Sequence, residues 1–87
     1  MNDIVSEYEI SILAMMAAGY SDTAIARRVS VSTRTLERHV ARIMSRVGAK
    51  SRLGLGAIAA HHGWLDAARL LAVMDATRAS AAEELAT

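Results

Sequence analysis

Helix-opening residues recur along this 87-residue chain at intervals too short for anything but small, tightly connected helices. Ser6, Ser21, Ser32, Ser51 and Asp66 each carry a side-chain oxygen able to accept from the free N–H groups of an opening helical turn. Gly19, Gly48 and Gly63 can take the left-handed conformation that closes one. No proline interrupts these intervals. With no cysteine either, disulfide scaffolds, thiolate nucleophiles and cysteine-held zinc are excluded. The apolar share, 53% and drawn largely from Ala, Leu, Ile, Val and Met, is too high for a disordered tail. The expectation is one small all-α domain.

Ser6 with Glu9 forms a capping box, and Val5 with Ile10 a hydrophobic staple, so a first helix starts there, with Ile12, Leu13, Met16 and Ala17 at helical spacing. Ser21 caps a short second helix through about Val29 that buries Ile25 and Ala26. Residues 29–32 make a tight turn, in which Ser30 offers side-chain hydrogen bonds and Ser32 caps a third helix from Thr33 to about Val47. At 100° per residue, Leu36, Val40, Ile43 and Val47 form its core stripe, with Met44 at the margin. Arg34, Arg38, Ala41 and Ser45 face the other way, flanked by Glu37, Arg42 and Arg46. A fourth helix runs from Ser51 to about His62, with Leu53, Ala57 and Ala60 as inward candidates. Asp66 caps a fifth, with Leu70, Val73 or Met74, Thr77, Ala81 and Leu85 at helical intervals. A soft boundary near Trp64 divides a domain over 1–65 from a helical extension over 66–87.

The net charge of +1 conceals a strong polarity. Residues 1–26 carry −4 with no Lys or Arg, residues 27–52 carry +7, and residues 53–87 carry −2. The ladder Arg34, Arg38, Arg42, Arg46 sets like charges at i, i+4, which destabilises a free helix by about a few tenths of a kcal/mol per pair. A polyanion relieves that repulsion. A short helix, a tight turn and a longer arginine-bearing helix match a helix-turn-helix, whose second helix enters the major groove of duplex DNA. Arg can bond guanine bidentately and Glu can accept from cytosine N4, so Arg34, Glu37, Arg38 and Ala41 are the candidate base-contacting positions. Ser21, Ser32, Thr33, Thr35, Lys50 and Ser51 lie at helix starts, where hydroxyls and free N–H groups suit phosphates. Arg42, Arg46 and Arg52 are assigned to the DNA backbone, as is His39, which is either structural or phosphate-bonding.

Residues 5–65 resemble the DNA-binding domain of LuxR-type (GerE-like) bacterial transcription regulators. The matches are Glu9, Leu13, Gly19, Ser21, Ile25, Ala26, Val31, Ser32, Thr35, His39, Ile43, Gly48 and Ser51-Arg52, and the run Gly48-Ala49-Lys50-Ser51-Arg52 is the most specific. Tyr8 stands where Arg is usual, Ala24 where Glu is usual, and Glu37 where Lys often sits. The resemblance implies a tetrahelical helix-turn-helix domain whose third helix reads DNA, whose Lys50 and Ser51 hold the backbone, and whose fourth helix forms a two-fold dimer. The interface so implied falls to Leu55, Gly56 and Ala59, with Leu70 and Met74 of the fifth helix added as an extension of it.

The remaining residues have plainer readings. His61 and His62 are adjacent, hence about 100° apart on a helix, with no third metal ligand in sight. Met15, Met16 and Met44 fill core, and Trp64 closes the end of the domain. No nucleophile–base pair, carboxylate pair or phosphate loop points to an enzyme or a cofactor. An acidic start and no apolar run near the ~20 residues of a membrane span predict a cytoplasmic chain. The first reading is a sequence-specific regulator binding duplex DNA as a homodimer on an inverted repeat, controlled by a further domain or partner. The alternatives are a sigma-factor-like promoter-recognition domain and a module that sequesters a regulator by protein contact.

Overall fold

Each helix opens on the cap its sequence provides. The computed structural model describes residues 4–66 and 68–75. They form α1 (Glu7–Ala17), α2 (Asp22–Arg28), α3 (Thr33–Val47), α4 (Arg52–His61) and a fifth helical segment, α5, over 68–75, with no strand among the described residues. The Ser6 hydroxyl accepts from the Glu9 N–H at 3.1 Å while the Glu9 carboxylate accepts from the Ser6 N–H at 2.9 Å, completing the capping box. Ser21, Ser32 and Ser51 accept from the N–H three residues on, at 3.1, 3.0 and 2.9 Å. Asp66 does the same for Arg69 at 2.7 Å. At the far end of α3, Gly48 has φ +78° with open space where a Cβ would stand, so the requirement there is purely one of backbone conformation.

Between α2 and α3 the chain reverses without help from the Ser30 side chain, contrary to expectation. Main-chain bonds close the turn, Val31 N–H to Ala26 C=O at 2.9 Å and Ser30 N–H to Arg27 C=O at 3.3 Å, and Ser30 takes φ +60° to allow them. That left-handed conformation costs about 1–2 kcal/mol at a non-glycine residue.

α2 packs chiefly on α3, α1 meets α2 and α4, and α3 meets α4. Ile12, Ile25, Leu36, Ile43 and Leu55, drawn from α1 to α4, are the large side chains at the centre. The α3 stripe is as expected: Leu36, Val40 and Ile43 are buried, with Val47 and Met44 packed at its edge. Trp64 is buried, and its N–H reaches Ala59 C=O at 2.9 Å. On α1 the buried set is Ile10, Ile12, Leu13 and Ala14, while Met16 is half-buried and Ala17 exposed.

α4 is turned relative to expectation. Leu55 and Ala59 are buried, at 1% and 0% exposure, whereas Leu53 is 87% exposed and Ala57 and Ala60 face solvent. Leu55 and Ala59 are therefore core residues and not surface for a dimer partner; Gly56 is half-buried. The sequence Leu-Gly-Leu-Gly-Ala-Ile-Ala-Ala is apolar or small on every side. Leu53 and Leu55 lie 200° apart on such a helix, so its rotation is chosen by the neighbours that receive it.

α5 runs beside the Ser11 and Met15 side of α1, with Arg69, Ala72 and Val73 across a shared cleft and Arg69 bonded to Glu7 at 3.2 Å. α4 borders the opposite side of α1, at Leu13, Met16 and Ala17. Leu70 is half-buried and Met74 exposed. Thr77, Ala81 and Leu85 lie outside the described residues.

Two long-range ion pairs tie the acidic first segment to the basic middle one. Arg46 of α3 donates to the Glu9 carboxylate at 2.9 and 3.1 Å and to Ile4 C=O at 2.8 Å. Arg52 of α4 holds Asp22 of α2 bidentately, at 2.8 and 2.7 Å. Partial burial works against the Glu9 charge, but the Ser6 N–H and Arg46 outweigh it and hold the carboxyl below its ordinary value. The hydrogen bonds from Arg52 hold Asp22 low against a smaller cost of burial. Both pairs are partly exposed, so each contributes under about 1 kcal/mol.

The rotation of α4 is checked by urea unfolding. Leu55→Ala is expected to cost about 2–5 kcal/mol, and Leu53→Ala under about 0.5 kcal/mol; the reverse order would return Leu53 to the core. The ion pairs predict a pH dependence. Both carboxylates titrate lower in the folded chain than in the unfolded one, so their stabilisation is complete at neutral pH and is lost as pH falls below about 4. A Glu9→Gln, Asp22→Asn variant should lose less stability between pH 7 and pH 3 than the parent; equal losses would show that the pairs contribute nothing.

Candidate nucleic-acid interface

The burial of Leu36, Val40 and Ile43 leaves Arg34, Glu37, Arg38, Ala41, Arg42 and Ser45 exposed along the other side of α3. Arg34, Arg38 and Arg42 are exposed and enter no ion pair among the described residues. All four positions expected at base edges, Arg34, Glu37, Arg38 and Ala41, thus share one exposed face. Such a face suits the donor and acceptor pattern of a major groove.

The positions expected at phosphates lie at the helix starts, apart from His39, Arg42 and Arg46 within α3. Ser21, Ser32, Lys50 and Ser51 are exposed, and Thr33, Thr35 and His39 half-buried. The capping bonds decide what each hydroxyl has left to give. Ser21 and Ser51 use an oxygen lone pair as helix caps and keep their O–H as a donor. Ser32 is committed further, donating its O–H to Thr35 Oγ1 at 2.9 Å, which leaves Thr35 with the free O–H of that pair. His39 meets the Tyr8 ring edge-to-face at 5.9 Å, so α1 supplies an aromatic support for it.

Arg46 and Arg52 differ from the other basic residues. Both were expected at the DNA backbone, and both are already held by carboxylates, Glu9 and Asp22. The hydrogen bonds to Asp22, against a cost of burial and with a smaller contribution from the Glu37 charge, stabilise the Arg52 cation further. Asp22 is the residue that sequence reasoning passed over. It lies thirty positions from Arg52, and no local pattern links the two. Through it α2 presents an acid to α4. Arg28, also unassigned from sequence, lies over the Tyr20 ring at 4.9 Å.

The histidines near the end of α4 form a surface aromatic cluster. His61 and His62 are exposed, edge-to-face at 5.3 Å, and His62 stacks on Trp64 at 4.6 Å. No group of three potential metal ligands occurs among the described residues. None of their helices is long and apolar enough to cross a membrane.

Comparison with known proteins agrees with this geometry. Residues 3–59 match the family described as bacterial regulatory proteins, luxR family. The bialaphos biosynthetic pathway regulatory protein of Streptomyces hygroscopicus is 46% identical over 56 residues, which are 64% of this chain and 22% of that protein. The oxygen regulatory protein NreC of Staphylococcus aureus (strain JH9) is 41% identical over 49 residues, 56% of this chain and 23% of its own length. The chain thus spans under a quarter of the length of these relatives. No solved structure matches it. The matched residues take in α1 to α3 and most of α4, including the exposed arginine face, and on that ground the chain belongs to the luxR family of bacterial regulatory proteins.

Proposed function

We propose that this chain reads a specific duplex DNA sequence for transcription regulation, with α3 in the major groove, and that it does so as a homodimer on an inverted repeat. The observation that carries the reading is the unpaired arginine face of α3, held outward by the buried Leu36, Val40 and Ile43 within a luxR-family frame. Arg34, Glu37 and Arg38 then face base edges, with Ala41 close enough for apolar contact with a thymine methyl. Ser21, Thr33, Thr35, His39, Arg42, Lys50 and Ser51 meet phosphate from both sides of α3, fixing register without reading sequence. Half-sites of such a dimer lie about one helical turn apart.

The dimer surface favoured by the observed rotation of α4 is Leu53, Ala57 and Ala60, beside the half-buried Gly56. Leu53 carries most of its side chain into solvent in the monomer, which is the condition of an unpartnered apolar residue. A Leu53→Glu variant is expected to keep its stability but sediment as a monomer and bind an inverted repeat no better than a single half-site. An unchanged sedimentation mass on DNA would place the dimer contact elsewhere.

Selection of bound duplexes from a random pool, followed by salt titration, tests the reading itself. A reader of sequence binds its selected site at least about 10³-fold tighter than random DNA, with several phosphate contacts in the salt slope. Arg38→Ala should cost about 1–3 kcal/mol and relax preference at one base pair, whereas Lys50→Ala should weaken every duplex alike. Equal losses on all sequences for both would remove Arg38 from the base edges. Absence of any duplex binding near 100 mM salt would leave a protein-contact module.

A further inference from the structure

We propose that Asp22 is a positioning residue for DNA binding: through its bidentate pair with Arg52 it sets the start of α4, and with it Lys50 and Ser51, at a fixed distance from the start of α2. Arg52 is then the brace of this edge of the interface and not a phosphate ligand. The inference rests on the DNA reading above and concerns how one edge of that site is held.

The two partners stand where such a brace is useful. Asp22 opens α2 directly after its cap Ser21, and Arg52 opens α4 directly after Ser51 and Lys50. One ion pair therefore joins the starts of α2 and α4, each of which carries residues assigned to phosphate. Phosphates are spaced rigidly along a duplex, so groups that grip two of them gain from being held at matching separation before binding.

The first turn of α4 has little else to hold it. Gly54 and Gly56 each cost about 1 kcal/mol relative to Ala inside a helix. Leu53 faces solvent and contributes no packing. Tertiary anchors near this end include Ala49, packed on the core just before Lys50, Leu55, buried among the other helices, and the Arg52–Asp22 pair at 2.7 and 2.8 Å, the one that joins it to α2 through side-chain charge. Two N–H···O bonds in parallel restrict orientation as well as distance, which a single contact does not. The charges agree. Arg52 is compensated by Asp22 in direct contact, with a lesser contribution from the Glu37 carboxylate, whereas Arg34, Arg38 and Arg42 enter no ion pair among the described residues.

The test turns on a sign. Asp22→Asn removes a negative charge beside a polyanion's site, and if Arg52 were a phosphate ligand held back by Asp22, binding to the selected duplex would tighten. The brace predicts the opposite, a loss of about tenfold in Kd, with Asp22→Glu restoring most of it. Arg52→Gln should lose a similar factor, and the Asp22→Asn, Arg52→Gln double variant no more than either single change, because each removes the same link. Ethylation interference should show the Asp22→Asn losses concentrated at the phosphates that the Lys50→Ala variant also loses, a pattern that general destabilisation does not produce. Thermal melts of each variant confirm that the folded chain is being compared. Tighter binding by Asp22→Asn, or additive losses in the double variant, would overturn the brace. Failure of the parent chain to bind any duplex would instead overturn the DNA reading, and the brace with it.

Discussion

The burial of Leu36, Val40 and Ile43 in the core they share with Ile12, Leu13, Ile25 and Ala26 is the constraint from which the rest follows. A helix carrying charge on one side and branched aliphatic groups on the other has one rotation that buries the second without burying the first. Removing three such side chains from water is worth several kcal/mol, about 1.5–3 each. That is enough to fix the rotation of α3 and to hold Arg34, Arg38 and Arg42 outward against their mutual repulsion, which costs only tenths of that. Stability therefore comes from one side of the helix and recognition from the other, and neither depends on the other's chemistry.

Electrostatics then separates the basic residues into two kinds. Among the described residues Arg34, Arg38 and Arg42 enter no ion pair, whereas Arg46 and Arg52 are taken up by Glu9 and Asp22. The polarity of the chain, acidic before residue 27 and basic from 27 to 52, thus has two consequences. Part of the acid ties helices together, and the remaining base faces outward. Partly exposed pairs of this sort contribute little to stability; what they do is join elements, the last turn of α3 to the first turn of α1 and the start of α4 to the start of α2.

Much of this was legible in the residues. Side-chain caps are local chemistry, settled within four residues, so Ser6, Ser21, Ser32, Ser51 and Asp66 mark the helix starts directly. The α3 face was legible because its pattern is strongly two-sided. Three features were not. The turn at Ser30 is closed by main-chain bonds in a conformation that serine's side chain does not announce. α1 and α4 are apolar nearly all round, so their sequences are compatible with several rotations, and Leu55 and Ala59 were assigned to the surface when they belong to the core. The Arg46–Glu9 and Arg52–Asp22 pairs join residues 37 and 30 positions apart, beyond the reach of any periodicity.

The amino-acid sequence by itself thus determined where the helices begin and end, which side of α3 is charged, and the family whose frame the chain shares. Those properties depend on interactions between near neighbours, or on a contrast in polarity steep enough to permit one answer. Only the tertiary structure decided the rotation of α4, the side of α1 on which α5 lies, and which arginines keep their charge free. Each of these is a choice among arrangements that are locally equivalent, and it is made by whichever neighbour from another helix fills the space or supplies the opposite charge.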